Sequence, residues 1–458
     1  MDLARYRPHL LATLSLGLPL VGGHLARMGI NITDTVMVGK YGVEELAALV
    51  IATSVLFILM MLGSGYGIGV LGLLATANAR NDTTEIRRAT RMALWLSAIH
   101  AIVVMPVLWF AGPILLALGQ TETVSELSQQ YLRIAGWGVG ATLWAMALNS
   151  YLAAMERTQV VLWLTVAGIP LNILFNWVLI FGNLGAPEMG VRGAAIASIL
   201  TQYLSLAAIL AYALWLPQAR PISLMQRFWR ADWPAFRAIF WLGLPVGLTL
   251  VAEVGMFVGT NIMMGWFGTK ELAAHGIALQ LASIAFMFHL GMSNAGTIRA
   301  GRARGLGDAT MLRDAAATVI FLSVVFGILT SLSFIFLPDP MIALYLKADD
   351  PEAPAIMEIA VGLMFWAALF QLVDALQVQG LGLLRGVQDT RVPMYYAAFS
   401  YWIIGLPAAY LFAFPLGFGP PGLWVGLMAG LGVASFLMMH RFYNGLARGV
   451  WTREGEPG

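Results

Sequence analysis

The chain has no cysteine in 458 residues, which excludes disulfides, thiol nucleophiles and thiolate metal sites. Charge is nearly as scarce. Asp, Glu, Lys and Arg make up 11% of the residues, against about 25% in a soluble domain. Length alone would allow two or three soluble domains, but no segment is polar enough to cover one. Glycine-rich runs such as GSGYGIGVLG lack the GK[ST] that holds phosphate, so direct use of ATP is not expected. No HExxH occurs, and His24, His100, His275, His289 and His440 show no metal-ligand spacing, so they read as helix-packing or interface residues.

What the chain has instead is hydrophobic length. Fifty-nine per cent of it is hydrophobic (59%). Apolar segments long enough to cross a hydrocarbon core of ~30 Å fall at 10–36, 46–74, 91–118, 129–154, 159–181, 193–216, 237–264, 272–298, 314–337, 355–384, 393–415 and 422–444. The fold class is therefore an all-α polytopic membrane protein with twelve transmembrane helices. The basic start MDLARYRPHLL runs straight into the first segment without a small-residue cleavage site, so that segment is expected to be retained.

Basic residues alternate between the two sides of this map. Arg5, Arg7, Arg80, Arg87, Arg88, Arg91, Arg157, Arg220, Arg227, Arg230, Arg237, Arg299, Arg302, Arg304, Arg313, Arg385, Arg391, Arg441, Arg448 and Arg453 share one side, 20 of the 26 Lys and Arg. Only Lys40, Arg192, Lys270 and Lys347 fall opposite, while Arg27 and Arg133 lie inside spans. By the positive-inside rule both termini should be cytoplasmic. These basic loops are topology signals, and no nucleic-acid partner is expected.

The chain also repeats itself. Gly17-Leu18-Pro19 returns as Gly243-Leu244-Pro245, and Glu45-Leu46-Ala47-Ala48 as Glu271-Leu272-Ala273-Ala274. Gly65 and Asp82 return at the same offset as Gly291 and Asp308. The expected organisation is a six-helix bundle over 1–216, a cytoplasmic linker over 217–236 and a second six-helix bundle over 237–458. Because six is even, the halves are parallel repeats, an arrangement found in secondary transporters that bind substrate near the membrane midplane.

Three acids fall inside spans: Asp34, Glu253 and Asp374. Glu253 sits in the middle of the apolar stretch Ala238–Met264, and Asp374 is central in FQLVDALQVQG. An ionised carboxylate there costs about 2.5–3.5 kcal/mol or more unless it meets a cation, a proton or a polar cavity. The bland alternative is a pair of neutral carboxyls gluing helices. Asn172 and Asn176, four residues apart in PLNILFN, share a helix face and could join Asp34. They could equally satisfy the backbone freed by Pro170.

Four stretches then resemble one family, the multidrug and toxic compound extrusion transporters, in their NorM-like branch. They are DTVMVGKYGVEELAA, PLNILFNW, AEVGMFVGTNIMMGWFGTKELAAHGIALQ and DALQVQGLGLLRGVQDTRVPM. The resemblance implies a V-shaped pair of bundles and cation-coupled export of amphipathic organic cations across the bacterial inner membrane. It implies that Glu253 and Asp374 bind the coupling ion, Na⁺ or H⁺, with Asp34, Asn172 and Asn176 forming a second ion-sensitive group. The position one turn before Asp374 is Phe370, where some members have an aromatic hydroxyl. Substrate contacts are expected at Gln280, Phe257 and Met256 and in the outer loop at Asp349 and Asp350. Small cationic drugs or dyes and membrane lipids are the expected partners, no cofactor is expected beyond the coupling ion, the chain is expected to be a monomer, and no enzymatic activity is expected. The alternative within the same broad superfamily is a flippase for lipid-linked precursors.

Overall fold

The structure, a computed structural model, describes residues 3–215, 222–346 and 351–452. Among these residues there is no β-strand, and twelve long helices carry the chain. They are α1 (Leu3–Tyr41), α2 (Val43–Ala79), α3 (Thr83–Trp109), α4 (Glu122–Ala154), α5 (Thr158–Phe181), α6 (Val191–Trp215), α7 (Trp233–Gly265), α8 (Thr269–Leu306), α9 (Ala309–Phe336), α10 (Ala353–Gly386), α11 (Arg391–Ala413) and α12 (Pro420–Ala447). Short helices at Ala111–Ala117 and Pro338–Ala343 follow α3 and α9.

Eleven of the twelve are long and apolar enough to cross a membrane. The exception is α4, which at 33 residues has the length but not the hydropathy. Glu122, Glu126, Gln129, Gln130 and Arg133 dilute its first half. Its place explains why that is tolerated, because α2, α3 and α6 all pack on it and cover it with protein. In the second half α10 holds the same central place, with α8, α9 and α12 around it.

The repeat has a visible local logic. Asp82 caps α3 by accepting from the Glu85 amide at 2.9 Å, and Asp308 caps α9 by accepting from the Met311 amide at 2.9 Å. Each satisfies one of the orphan amides at a helix start. Glu45 and Glu271 fall in the first turns of α2 and α8, where a negative charge suits the helix dipole.

By contact the chain forms two compact units whose limits fall inside helices. The first comprises Met1–Val21 with Leu248–Gly458, and the second Gly22–Gly247. The limits fall in α1 and α7 and not in the connection 217–236, because the opening part of each helix packs with the other half's helices. In the first unit a Cβ on Gly291 would meet Val21 Cγ2 at 2.4 Å and the Val21 backbone nitrogen at 2.7 Å. In the second, a Cβ on Gly65 would meet the Gly243 carbonyl oxygen and the Gly247 nitrogen, both at 2.4 Å. Gly65 and Gly291 are repeat partners, so each unit closes one helix crossing with a glycine that lets two backbones touch.

Residues 217–221 of the connection lie outside the described residues. The remainder is docked on α3: Arg91 donates to the Arg227 carbonyl at 2.8 Å and Trp95 Nε1 to the Phe228 carbonyl at 3.2 Å. Arg88 grips Asp232 with two bonds, Nε to Oδ2 at 2.6 Å and Nη2 to Oδ1 at 3.1 Å. That guanidinium holds the Asp232 carboxyl below the usual carboxylate range, and the Ala235 amide adds to the effect.

Candidate functional site

In the second unit the sequence pairing of Asp34 with two asparagines is realised. Asp34 lies about two turns from the end of α1. Pro170 sits in α5 just ahead of Asn172 and Asn176, and both amides are fully buried. Asn172 Nδ2 donates to Asp34 Oδ1 at 3.0 Å, and Asn176 Nδ2 donates to the same oxygen at 2.6 Å and to Asn172 Oδ1 at 3.2 Å. The other carboxylate oxygen accepts from Ser198 on α6 at 3.1 Å. Tyr131 on α4 lies beside Ser198 and within electrostatic reach of Asp34. Ser198 and Tyr131 were not singled out from sequence. A serine in an Ala-rich helix carries no charge to mark it, and a tyrosine near a helix start reads as an interface anchor.

In the first unit Glu253 on α7 and Asp374 on α10 lie within electrostatic reach of each other. Glu253 is half-buried and Asp374 is 2% exposed. Two further groups join them. Arg385, in the last turn of α10, interacts with Glu253, and Tyr401 on α11 interacts with both acids and with Arg385. Arg385 had been counted with the loop charges that set topology. It is instead 5% exposed inside the unit, because α10 continues past the apolar run and carries the guanidinium with it. Tyr401 is fully buried and accepts a hydrogen bond from Gln377 Nε2 at 2.5 Å.

Tyr401 is placed by a distortion that no periodicity announces. Residues Phe399–Gly405 of α11 form a π-helix, a widened turn that is frequent at functional sites. The adjacent Trp402 donates from Nε1 to the Ala252 carbonyl at 3.2 Å, so the same widened stretch is tied to α7 one residue before Glu253.

The two acid groups differ in how they are satisfied. Asp34 accepts from three neutral side chains, whereas neither Glu253 nor Asp374 accepts a side-chain hydrogen bond among the described residues. Their partners are one another, a cation and a phenol, held by electrostatics. Carboxylate oxygens not taken by neutral donors are free to bind a proton or a hard monovalent cation. Asn149, the repeat counterpart of Asp374, keeps a buried Oδ1 without a partner. Another acid, Asp314 on α9, was missed because it starts its span. It is 3% exposed and faces His9 Nε2 at 3.8 Å.

Of the expected substrate residues, Met256, Phe257 and Gln280 fall among the described residues. Met256 is fully buried, with its sulfur against Gly405 and Gly430. Phe257 packs edge-on against Phe370 with ring centroids 6.1 Å apart, and Phe370 packs edge-on against Trp424 at 5.6 Å. Phe370 is 3% exposed, so the ring one turn before Asp374 belongs to an aromatic core. Gln280 is half-buried on α8. Asp349 and Asp350 lie outside the described residues.

The MatE family model matches residues 19–178 and 245–411. A probable multidrug resistance protein NorM from Rhizobium meliloti is 43% identical over 440 residues, covering 96% of this chain and 94% of the relative. A second probable multidrug resistance protein NorM, from Agrobacterium fabrum, is 40% identical and covers 95% of this chain and 93% of its own. Among solved structures, an outward-facing multidrug resistance MATE family transporter of the MOP superfamily superposes with a TM-score of 0.87 at 21% identity, covering 98% of this chain and 97% of that one. A MATE protein in a straight conformation gives 0.87 at 20% identity, with 96% and 97% covered. At those identities the structural likeness establishes the fold.

Proposed function

This chain belongs to the MatE family of membrane transporters, and from that premise we propose that it is a secondary active antiporter that exports amphipathic, cationic small molecules against an inward Na⁺ or H⁺ gradient. It is a transport protein and not an enzyme. The reading places it in the bacterial inner membrane as a monomer with both termini in the cytoplasm, in keeping with the basic residues of one set of loops. The relatives from Rhizobium meliloti and Agrobacterium fabrum, both probable multidrug resistance proteins, support drug export.

The observation that carries the coupling mechanism is the Glu253–Asp374 pair, two carboxylates in one electrostatic neighbourhood inside spanning helices, with no neutral side-chain donor on either among the described residues. Two like charges so placed repel, and a cation or proton between them relieves the repulsion. Binding of the ion removes negative charge that would hold a cationic substrate, so ion and substrate compete for one electrostatic well. Alternating access then converts that competition into exchange. Arg385 limits the well: its charge offsets part of Glu253's, so a single bound monovalent ion is enough to neutralise the group.

The test is substrate-driven uptake of radioactive sodium into proteoliposomes, with a panel of cationic dyes at fixed pH. Sodium flux that requires dye and is lost in Glu253→Gln supports Na⁺ antiport through this pair. Dye movement under an imposed pH gradient without sodium flux makes the proton the coupling ion. Silence in both assays sinks the drug-antiport reading and puts the lipid-linked precursor flippase first.

A further inference from the structure

The first half of α4 is polar for a spanning helix, and its polar side chains do not all face protein. Several line a pocket of about 390 Å³ between the start of α4 and the short helix Ala111–Ala117. That lies within the ~300–1,000 Å³ of pockets that take small molecules. Gly112, Ser125, Glu126, Gln129, Gln130 and Arg133 are among its walls. Glu126 is exposed, and Gln129, Gln130 and Arg133 are half-buried, so the pocket opens at the surface. Positions 126, 129, 130 and 133 share one stripe of α4, about 10 Å from carboxylate to guanidinium along the axis.

The hydrogen bonds already made here leave donors over. Gln129 Oε1 accepts from the Gly112 amide at 2.8 Å, and Gln130 Oε1 accepts from Arg192 Nε at 2.9 Å. A backbone N–H and a guanidinium only donate, so these contacts fix which end of each side-chain amide is oxygen. The opposite ends, Gln129 Nε2 and Gln130 Nε2, meet no acceptor among the described residues. Arg133 donates from Nε to the Trp109 carbonyl at 3.0 Å, and its guanidinium lies 5.4 Å from the Trp109 ring centroid. Its Nη1 and Nη2 groups meet neither an acceptor nor a carboxylate among the described residues. Ser125 is fully buried in the same wall, and its Oγ has no partner.

The fold does not require this set. In the first unit α9, the helix Pro338–Ala343 and α10 repeat the arrangement. At the register that pairs Asn149 with Asp374, Glu358 stands for Arg133, Ala355 for Gln130 and Pro354 for Gln129. The surroundings of the pocket are those of a membrane interface. It lies on the side opposite the basic loops. Trp109 and Phe110, just before the short helix, and Trp137, one turn beyond Arg133, are all exposed. Exposed tryptophans on spanning helices sit at headgroup level.

We propose that this pocket holds the headgroup of one phosphatidylethanolamine molecule from the leaflet on that side, its phosphate bound by Arg133 with the Gln129 and Gln130 amides and its ammonium by Glu126. A guanidinium fork matches phosphate oxygens, and the amides add neutral donors beside it. A free phosphate would find the same donors. It would also meet the Glu126 charge without an ammonium to answer it, and it would leave the exposed aromatic rings without acyl chains. The proposal requires a membrane chain and not the antiport reading.

Native mass spectrometry of the detergent-purified chain, titrated with phosphatidylethanolamine, reads the site directly. Arg133→Gln should weaken the tightest adduct by about tenfold or more, the weight of a hydrogen bond to a charged group, and Gln129→Leu by less. Lys40→Gln, which removes a cation assigned to the same side, should leave it unchanged. Equal binding by all four proteins would overturn the proposal and leave Arg133 as a cap on α3. Glu126→Gln should abolish the preference for phosphatidylethanolamine over phosphatidylglycerol. An unaltered chain that prefers phosphatidylglycerol, or a preference that survives Glu126→Gln, would overturn the headgroup assignment. Inorganic phosphate separates the two sources of the anion. At millimolar concentration it should not displace the lipid, and displacement would make this a free-anion site. Thermal melting separates binding from a folding defect. The melting temperature gained on adding phosphatidylethanolamine should fall in Arg133→Gln and Gln129→Leu, whereas a lower starting temperature with the same gain would again overturn the proposal.

Discussion

The two units carry the same helices around the same central helix but treat their acids in opposite ways. In the second unit Asp34 is saturated: Asn172, Asn176 and Ser198 all donate to it. In the first, Glu253 and Asp374 accept no side-chain hydrogen bond among the described residues and are balanced by Arg385 and by each other. One pair of corresponding positions contributes to the difference. Where α10 has Asp374, α4 has Asn149, which brings a dipole and no charge. An acid surrounded by fixed neutral donors has a defined structure whether or not an ion is present. An acid facing another acid changes its energy sharply when one proton or ion arrives, and that sensitivity is what coupling requires.

The comparison breaks most visibly at the pair itself. Glu253→Gln and Asp374→Asn should each reduce gradient-driven export by roughly 5–150-fold, the span of a 1–3 kcal/mol coupling free energy, as read by dye efflux from proteoliposomes. If both neutral variants export normally, the first unit's acids are structural and the contrast drawn above has no functional content.

The same contrast predicts where stability is stored. Asn176→Ala removes two of the donated bonds around Asp34 and should cost about 1.5–3 kcal/mol, the usual worth of hydrogen bonds to a charged group. Thermal melting in detergent, with Asp374→Asn as the partner variant, would measure it. The Asp374 change should be near neutral or stabilising, since it removes charge repulsion without breaking a hydrogen bond.

The helix crossings should respond alike in both units. Gly65→Ala and Gly291→Ala each drive a methyl into backbone and should destabilise by about 1–3 kcal/mol. Gly362→Ala meets nothing within 4 Å and should be neutral or stabilising by up to about 1 kcal/mol. A crossing that tolerates alanine in one unit only would show that the repeat is not matched in energy.

The smallest effect belongs to the connection between the halves. Asp232 is held below the ordinary carboxylate range by Arg88, so its stabilising contribution is present above that range and is lost as pH falls through the depressed value. Because Arg88 is about a third exposed, Asp232→Asn should cost no more than about 1 kcal/mol at neutral pH. The difference from the unaltered chain should shrink in melts below the ordinary aspartate range.

Much of this was legible from residues alone. Asn172 and Asn176 are four apart, so helix geometry puts them on one face. An acid in an apolar span is costly enough to mark itself, which is how Asp34, Glu253 and Asp374 were found. Arg385 was not legible, because a cation next to a loop looks the same whether its helix ends before it or after it. Gln377, which donates to Tyr401, drew no notice because an amide carries no charge. Met256 and Phe370 were indistinguishable from lipid-facing residues, since such helices carry apolar residues on every face.

By itself, the sequence determined the class, the number of long helices, the duplication and the three acids within spans. Each of these follows from something local or additive: hydrophobic length against membrane thickness, recurrence at a fixed offset, and the cost of a charge in hydrocarbon. Tertiary structure decided which acids meet a cation and which meet amides, that α1 and α7 each divide between the two units, and that α11 widens to place Tyr401. Those outcomes depend on how helices rotate and approach one another. In a chain this uniformly apolar, burial has no pattern to set that rotation, so close-packed glycines and a few polar contacts set it instead.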